Sequence, residues 1–359
     1  MSQTPPPLTA PPPPLLPVLA RPWALLPKLW AAMYAEERLL IGIIIVAVLA
    51  CLATGTGFSF DPVTGYQGLF MANMGGVIVL SRLIFLWRRW RPSPKAWFQG
   101  INFEAEFGLV RATIFLIAYL TVYSNLKARI PAFNGNVWDE QLANFERAIL
   151  GGFDLVAWAR GAQQWPDFIM LLDETYHHGY IFMAWLMMVL YLNHGPRHVR
   201  FLVTSMGVLY LAGVVLTALW PTRGPCFMER DAYTWMREQD TSSWGSQQFL
   251  IKALNRTENA LTKGTWLEAK AFTGIAALPS LHVGHCVLLI IFAAMYAPRM
   301  NLVLVPITAI TWVATIVFGW HYLMDGVVAI PMVFGSVWVA RKLVFGAEPW
   351  TRYDPPPAS

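Results

Sequence analysis

Residues 277–286 read ALPSLHVGHC, and residues 319–326 read GWHYLMDG. Apolar runs of helical length flank both stretches, yet together they carry three histidines and an aspartate: His282, His285, His321 and Asp325. Ionisable groups at the ends of apolar segments are costly and mark functional sites more often than not.

The rest of the composition sets the solvent for that question. Of 359 residues, 56% are hydrophobic and 13% charged, and the mean hydropathy is +0.46. That is the profile of a membrane protein. The net charge of +5 does not describe a nucleic-acid face, because the basic residues sit in short clusters beside apolar runs, as topology signals do. No nucleic-acid partner is expected; the bilayer is. Cys51, Cys226 and Cys286 form no paired framework. The proline-rich opening, MSQTPPPLTAPPPPLLPVLARPWALLPKLW, suits a polyproline-like tail and not a helix or a cleaved signal.

A hydrocarbon core about 30 Å thick needs about 20 mostly apolar residues per helix. Scanning at that length predicts an all-α, polytopic bundle of about eight transmembrane helices, at residues 38–53, 68–87, 107–126, 180–192, 201–220, 282–297, 302–319 and 322–345. The fourth and sixth are short and are expected to begin earlier. Residues 1–36 form the tail, 37–100 hold two spans, 101–345 form the functional membrane domain, and 346–359 form a second tail. Alternate connections carry Arg21, Lys28, Arg38, the RRWRPSPK run from Arg88, Arg197, Arg200, Arg299, Arg341 and Lys342. The positive-inside rule assigns that set to the cytoplasm. Both histidine corners then fall on the opposite face, towards the periplasm, the exterior or a lumen.

The outer connections are mixed in polarity. Within WDEQLANFERAILGG, Leu142, Phe145, Ile149 and Leu150 recur at helical spacing, which predicts a helix lying in the interface and stopped by Gly151 and Gly152.

His321 and Asp325 are four residues apart, so a helix would set them on one face, where the carboxylate takes the Nδ1 proton and leaves Nε2 basic. In LPSLH, Pro279 suits a helix entry and Ser280 an N-cap, so the following N–H groups would face an anion such as phosphate. His282, in that first turn, could then donate a proton to a bound oxygen. His285, three residues on, opens a metal reading with His282, His321 and Asp325. A phosphate-binding helix end needs no ion, and neither metal nor cofactor is expected. Lys127 and Arg223 are the candidate phosphate cations, with Arg129 beside the first, and His177 and His178 are candidate chamber-lining residues.

These motifs have a familiar order. PSLHVG followed by HYLMD resembles the second and third motifs of the type 2 phosphatidic acid phosphatase superfamily. The surrounding YSNLKARIPAFNGNVWDEQLANFERAILGG, YHHG, WPTRGP and GIAALPSLH are most similar to its inositol phosphorylceramide synthase branch. The resemblance implies a bundle with a six-helix phosphatase-like core. In it His321 would attack phosphorus to form a phosphohistidine, Asp325 would orient it, and His282 would protonate the leaving group and later deprotonate the acceptor. Two phosphatase features are missing: Ala314 and Thr315 stand where a Ser-Arg pair is usual, and no Arg-Pro follows seven residues after Lys127.

The expected activity is transfer of a phosphoryl-linked headgroup from a phospholipid donor to a lipid-hydroxyl acceptor. A lipid phosphate or pyrophosphate phosphatase is the alternative, and a non-catalytic membrane scaffold a third reading. A transporter fits less well, since its site is expected near the midplane.

Overall fold

The computed structural model describes residues 26–58, 103–178, 186, 190, 194–265 and 275–348. Among them all regular secondary structure is helical, with no strand. Twelve α-helices are labelled in order: α1 (Leu26–Ala32), α2 (Ala35–Ala53), α3 (Phe103–Phe133), α4 (Asp139–Ile149), α5 (Leu155–Gly161), α6 (Pro166–His178), α7 (Pro196–Leu219), α8 (Pro225–Met228), α9 (Ser242–Lys263), α10 (Leu281–Tyr296), α11 (Asn301–Val317) and α12 (Leu323–Phe345). Three, namely α7, α11 with its 3₁₀ lead-in, and α12, are long and apolar enough to cross a membrane. The protein is a membrane protein. The expected span at 68–87 and nearly all of that at 180–192 lie outside the described residues.

Sequence expectation and structure differ at several boundaries. The expected sixth span does not start early: α10 begins at Leu281, directly after the Ser280 cap, and is 16 residues long. Conversely, α3 runs past the expected end at residue 126 and carries Lys127 and Arg129 on its last turns, with Pro131 just before its end at Phe133. A proline there clashes only with the turn behind it, so the helix stops soon after. Part of the expected N-terminal tail is also helical, as α1.

The bundle centres on α7, which packs along α3 and α12, while α10 packs against α11 and α12. Phe201, Leu202, Met206, Leu209, Leu288 and Phe292 form its buried heart. In lipid the driving force is close packing more than water exclusion, and small residues let helices approach. Gly207 shows this: a Cβ there would lie 2.6 Å from the Tyr119 ring of α3. At the other end, Glu36 and Glu37 of α2 pair with Arg200 and Arg111, and both guanidinium groups lie over the Tyr34 ring. These pairs anchor α2 to α3 and α7. A second aromatic cluster, with Tyr176, Phe227, Tyr233, Phe318 and Trp320, covers the end of the bundle where the two histidine corners meet.

Candidate active site

The corner between α11 and α12 presents His321, 6% exposed. Its backbone N–H donates to Thr315 O at 3.1 Å. Its Nδ1 lies 2.8 Å from Ala277 O and 3.3 Å from Asp325 Oδ2. Both partners accept, so Nδ1 carries the proton and Nε2 keeps its lone pair. Spacing alone assigns that job to Asp325; the shorter contact is the carbonyl of Ala277, contributed by the other motif. Asp325 is fully buried, and its Oδ2 also accepts the Tyr322 N–H at 2.8 Å.

The LPSLH corner approaches from the facing side. Ser280 N donates to Asp325 O at 3.0 Å. The Ser280 hydroxyl accepts the Val283 N–H at 3.4 Å, and the residue is fully buried. It caps α10 as expected, with its hydroxyl turned into the helix end. His282, in the first turn, has its ring centroid 5.9 Å from that of His321, at 63°. It stacks on Tyr176 at 4.6 Å, whose hydroxyl lies 3.5 Å from His282 Nδ1, and Tyr176 stacks in turn on Trp320 at 6.1 Å. Two residues distant in sequence thus share one aromatic-walled corner.

The other candidates divide. Lys127 holds its ammonium 5.6 Å from the Tyr123 ring centroid and interacts electrostatically with His282. Arg129 is buried and bonded to the carbonyl and side chain of Asn125 within its own helix. The Arg223 guanidinium bonds Glu258 at 2.7 Å instead of reaching towards the histidines. His177 packs edge-on to Tyr176, with Nδ1 2.9 Å from Asp173 O. His178 is 76% exposed and pairs with Glu174, so it turns away. His285 is buried within the bundle.

Several residues at the site escape sequence reasoning. The end of α7 and the loop at 220–224 are laced to residues 277–278: Ala277 N donates to Thr222 O, Leu278 N to Thr222 Oγ1, and Thr217 Oγ1, from α7, to Leu278 O, each at 2.8 Å. Gly224, at φ +100°, lies so close to the His321 corner that a Cβ would sit 2.5 Å from Trp320 O. Asp139, first residue of α4, accepts the N–H groups of Arg223 and Gly224 and the Tyr322 hydroxyl. Glu146, two turns on, accepts the Met324 N–H at 3.1 Å and so caps α12 from outside. Burial lifts the Glu146 carboxyl above its usual range, and the α12 N–H groups partly offset this. The sequence signal within reach is the acidic residues Asp139 and Glu146, seven apart and so two turns along one face of the interfacial helix. Glu146, Arg147, Asp154 and Glu229 line a cleft that reaches His321 and Tyr322.

A family model for the PAP2 superfamily matches residues 140–339 of this chain. The chain belongs to that superfamily. Membership points to an enzyme with lipid phosphatase or phosphotransferase chemistry, acting on lipids in a bilayer. No curated protein and no solved structure matches it at a significant level.

Proposed function

We propose that the protein is an integral membrane phosphotransferase, similar to inositol phosphorylceramide synthase, that moves a phosphoryl-linked headgroup between lipids through a phosphohistidine. The observation that carries this reading is the pairing of His282 with a His321 whose Nδ1 is held by Ala277 O and Asp325. Nε2 of His321 attacks the donor phosphorus, and the bond from phosphorus to the leaving lipid oxygen breaks. His282 gives that oxygen its proton. An acceptor hydroxyl then surrenders its proton to His282, its oxygen attacks phosphorus, and the phosphorus–nitrogen bond breaks to regenerate His321. Lys127 would steady the phosphoryl charge. Arg223 would serve only by exchanging Glu258 for phosphate. The basic clusters on the opposite connections favour a site on the non-cytoplasmic leaflet.

Transfer is preferred over hydrolysis because Tyr176, backed by Trp320, stacks on His282, and aromatic surface on the side of the proton carrier disfavours water as acceptor. The test is purified protein in lipid vesicles with a labelled phospholipid, with and without a ceramide or diacylglycerol, and mass spectrometry of the lipid products. Acceptor-dependent headgroup transfer is the expected result. Free phosphate or phosphoryl headgroup released equally without an acceptor means the phosphatase reading holds instead. No turnover with any donor favours a scaffold.

A further inference from the structure

Asp139 stands at the first position of an amphipathic helix, where a carboxylate ordinarily complements the helix's own N-terminus. Here its oxygens go elsewhere. Oδ2 accepts the Arg223 N–H at 2.8 Å, Oδ1 accepts the Gly224 N–H at 2.8 Å, and Oδ1 accepts the Tyr322 hydroxyl at 3.0 Å. The residue is 1% exposed, and the nearby Arg223 guanidinium is engaged by Glu258. A buried anion held by two successive backbone N–H groups and a phenol is expensive to desolvate and depends on all its donors.

Tyr322 is gripped at both ends. Its hydroxyl donates to Asp139, and its backbone N–H donates to Asp325 Oδ2, the same oxygen that faces His321 Nδ1. It is also the residue immediately after His321. The two residues that Asp139 holds on the other side, Arg223 and Gly224, follow Thr222, which is laced to Ala277 and Leu278. Ala277 O is the second anchor of His321 Nδ1. One carboxylate therefore joins the segments that carry both acceptors of the His321 proton.

We propose that Asp139 is a positioning residue for this reaction: by tying the Arg223–Gly224 backbone to the Tyr322 hydroxyl, it sets the direction in which His321 Nε2 points. The inference rests on the role given to His321 above. Displacing a reacting group by about 1 Å can cost about 100-fold in rate.

The experiment compares wild type, Asp139→Asn, Tyr322→Phe and the double variant in vesicles. It measures kcat, KM and the rate of phosphoenzyme formation from a labelled phospholipid, with the thermal midpoint as a folding control. Asp139→Asn keeps the side-chain volume and one acceptor oxygen; kcat is expected to fall about 100-fold, with phosphoenzyme formation slowed in step and KM little changed. Tyr322→Phe removes one of the bonds and is expected to cost about 10-fold in kcat, and the double variant to lose no more than Asp139→Asn alone. A folded Asp139→Asn with kcat within about twofold of wild type, a loss confined to KM, or strictly additive losses would overturn the proposal. If Asp139→Asn does not fold, Tyr322→Phe decides by the same kcat criterion. His321→Ala separates the two levels: turnover surviving in it sinks the role of His321 itself, whereas a dead His321→Ala beside fully active Asp139→Asn and Tyr322→Phe sinks only the positioning role.

Discussion

Helices α4 and α10 meet the same corner with opposite polarity. Along α10 the buried face is mostly apolar, with Val283, Leu288, Leu289 and Phe292 inside beside the single histidine His285, and its first turn offers His282 to the site. Along α4 the apolar residues Phe145 and Ile149 are 53% and 51% exposed, while Asp139 and Glu146 are buried. In water, burying those two carboxylates while Phe145 and Ile149 stay exposed would be costly, although Glu140, Gln141, Asn144 and Arg147 are exposed as well. At a membrane interface it is the sensible arrangement, because lipid accepts the apolar face and the site's backbone N–H groups need acceptors. Burial in this protein therefore tracks proximity to the site as much as hydrophobicity.

That contrast can be broken at several points, the largest effect first. His282→Ala removes the proton donor proposed for the α10 side; kcat is expected to fall between about 10²- and 10⁴-fold with the fold intact, checked by transfer assays beside a melting curve. A donor whose leaving oxygen is already a weak base should recover much of that loss, and equal losses with good and poor leaving groups would remove the acid role from His282. Gly224→Ala forces a Cβ against Trp320 O from a positive φ. Its expected cost is about 1–3 kcal/mol of stability, read from the thermal midpoint, together with reduced turnover as the His321 corner shifts. Wild-type behaviour would show that the loop does not abut that corner.

The smallest effect lies on α4. Since burial raises the Glu146 carboxyl above its normal range, its ionisation disfavours the folded state. The favourable contribution is complete below the unfolded-state value and fades as pH rises through the folded one. Glu146→Gln keeps an acceptor for the Met324 N–H and removes the charge. It should match or exceed wild type in thermal midpoint near neutral pH, with the advantage disappearing in acid. A variant less stable at neutral pH than in acid, relative to wild type, would mean that the charge itself stabilises the α12 cap.

How far the sequence could be read follows the same divide. Local features were legible: the Ser280 cap, the His321–Asp325 spacing, the end of α4 at Gly151 and Gly152, and the helical character of the apolar runs that lie among the described residues. Each depends on residues within a turn or two of one another. The bonds that assemble the site join residues far apart, Asp139 to Tyr322 and Ala277 to His321, and no periodicity encodes them. Arg223 looked free because Glu258 lies 35 residues downstream on α9. The buried carboxylates of α4 are not legible either, because the amphipathic rule fixes which residues share a face but not which medium each face meets.

The central claim is that His321 becomes covalently phosphorylated. The direct measurement is acid-free quenching of vesicle-embedded protein after brief exposure to a phospholipid labelled in its phosphate, followed by peptide mass spectrometry. The account predicts an acid-labile, base-stable phosphoryl adduct on the peptide containing His321, formed and consumed at rates compatible with turnover and absent from His321→Ala. Full transfer activity in His321→Ala, or an adduct that maps to another residue, would contradict it.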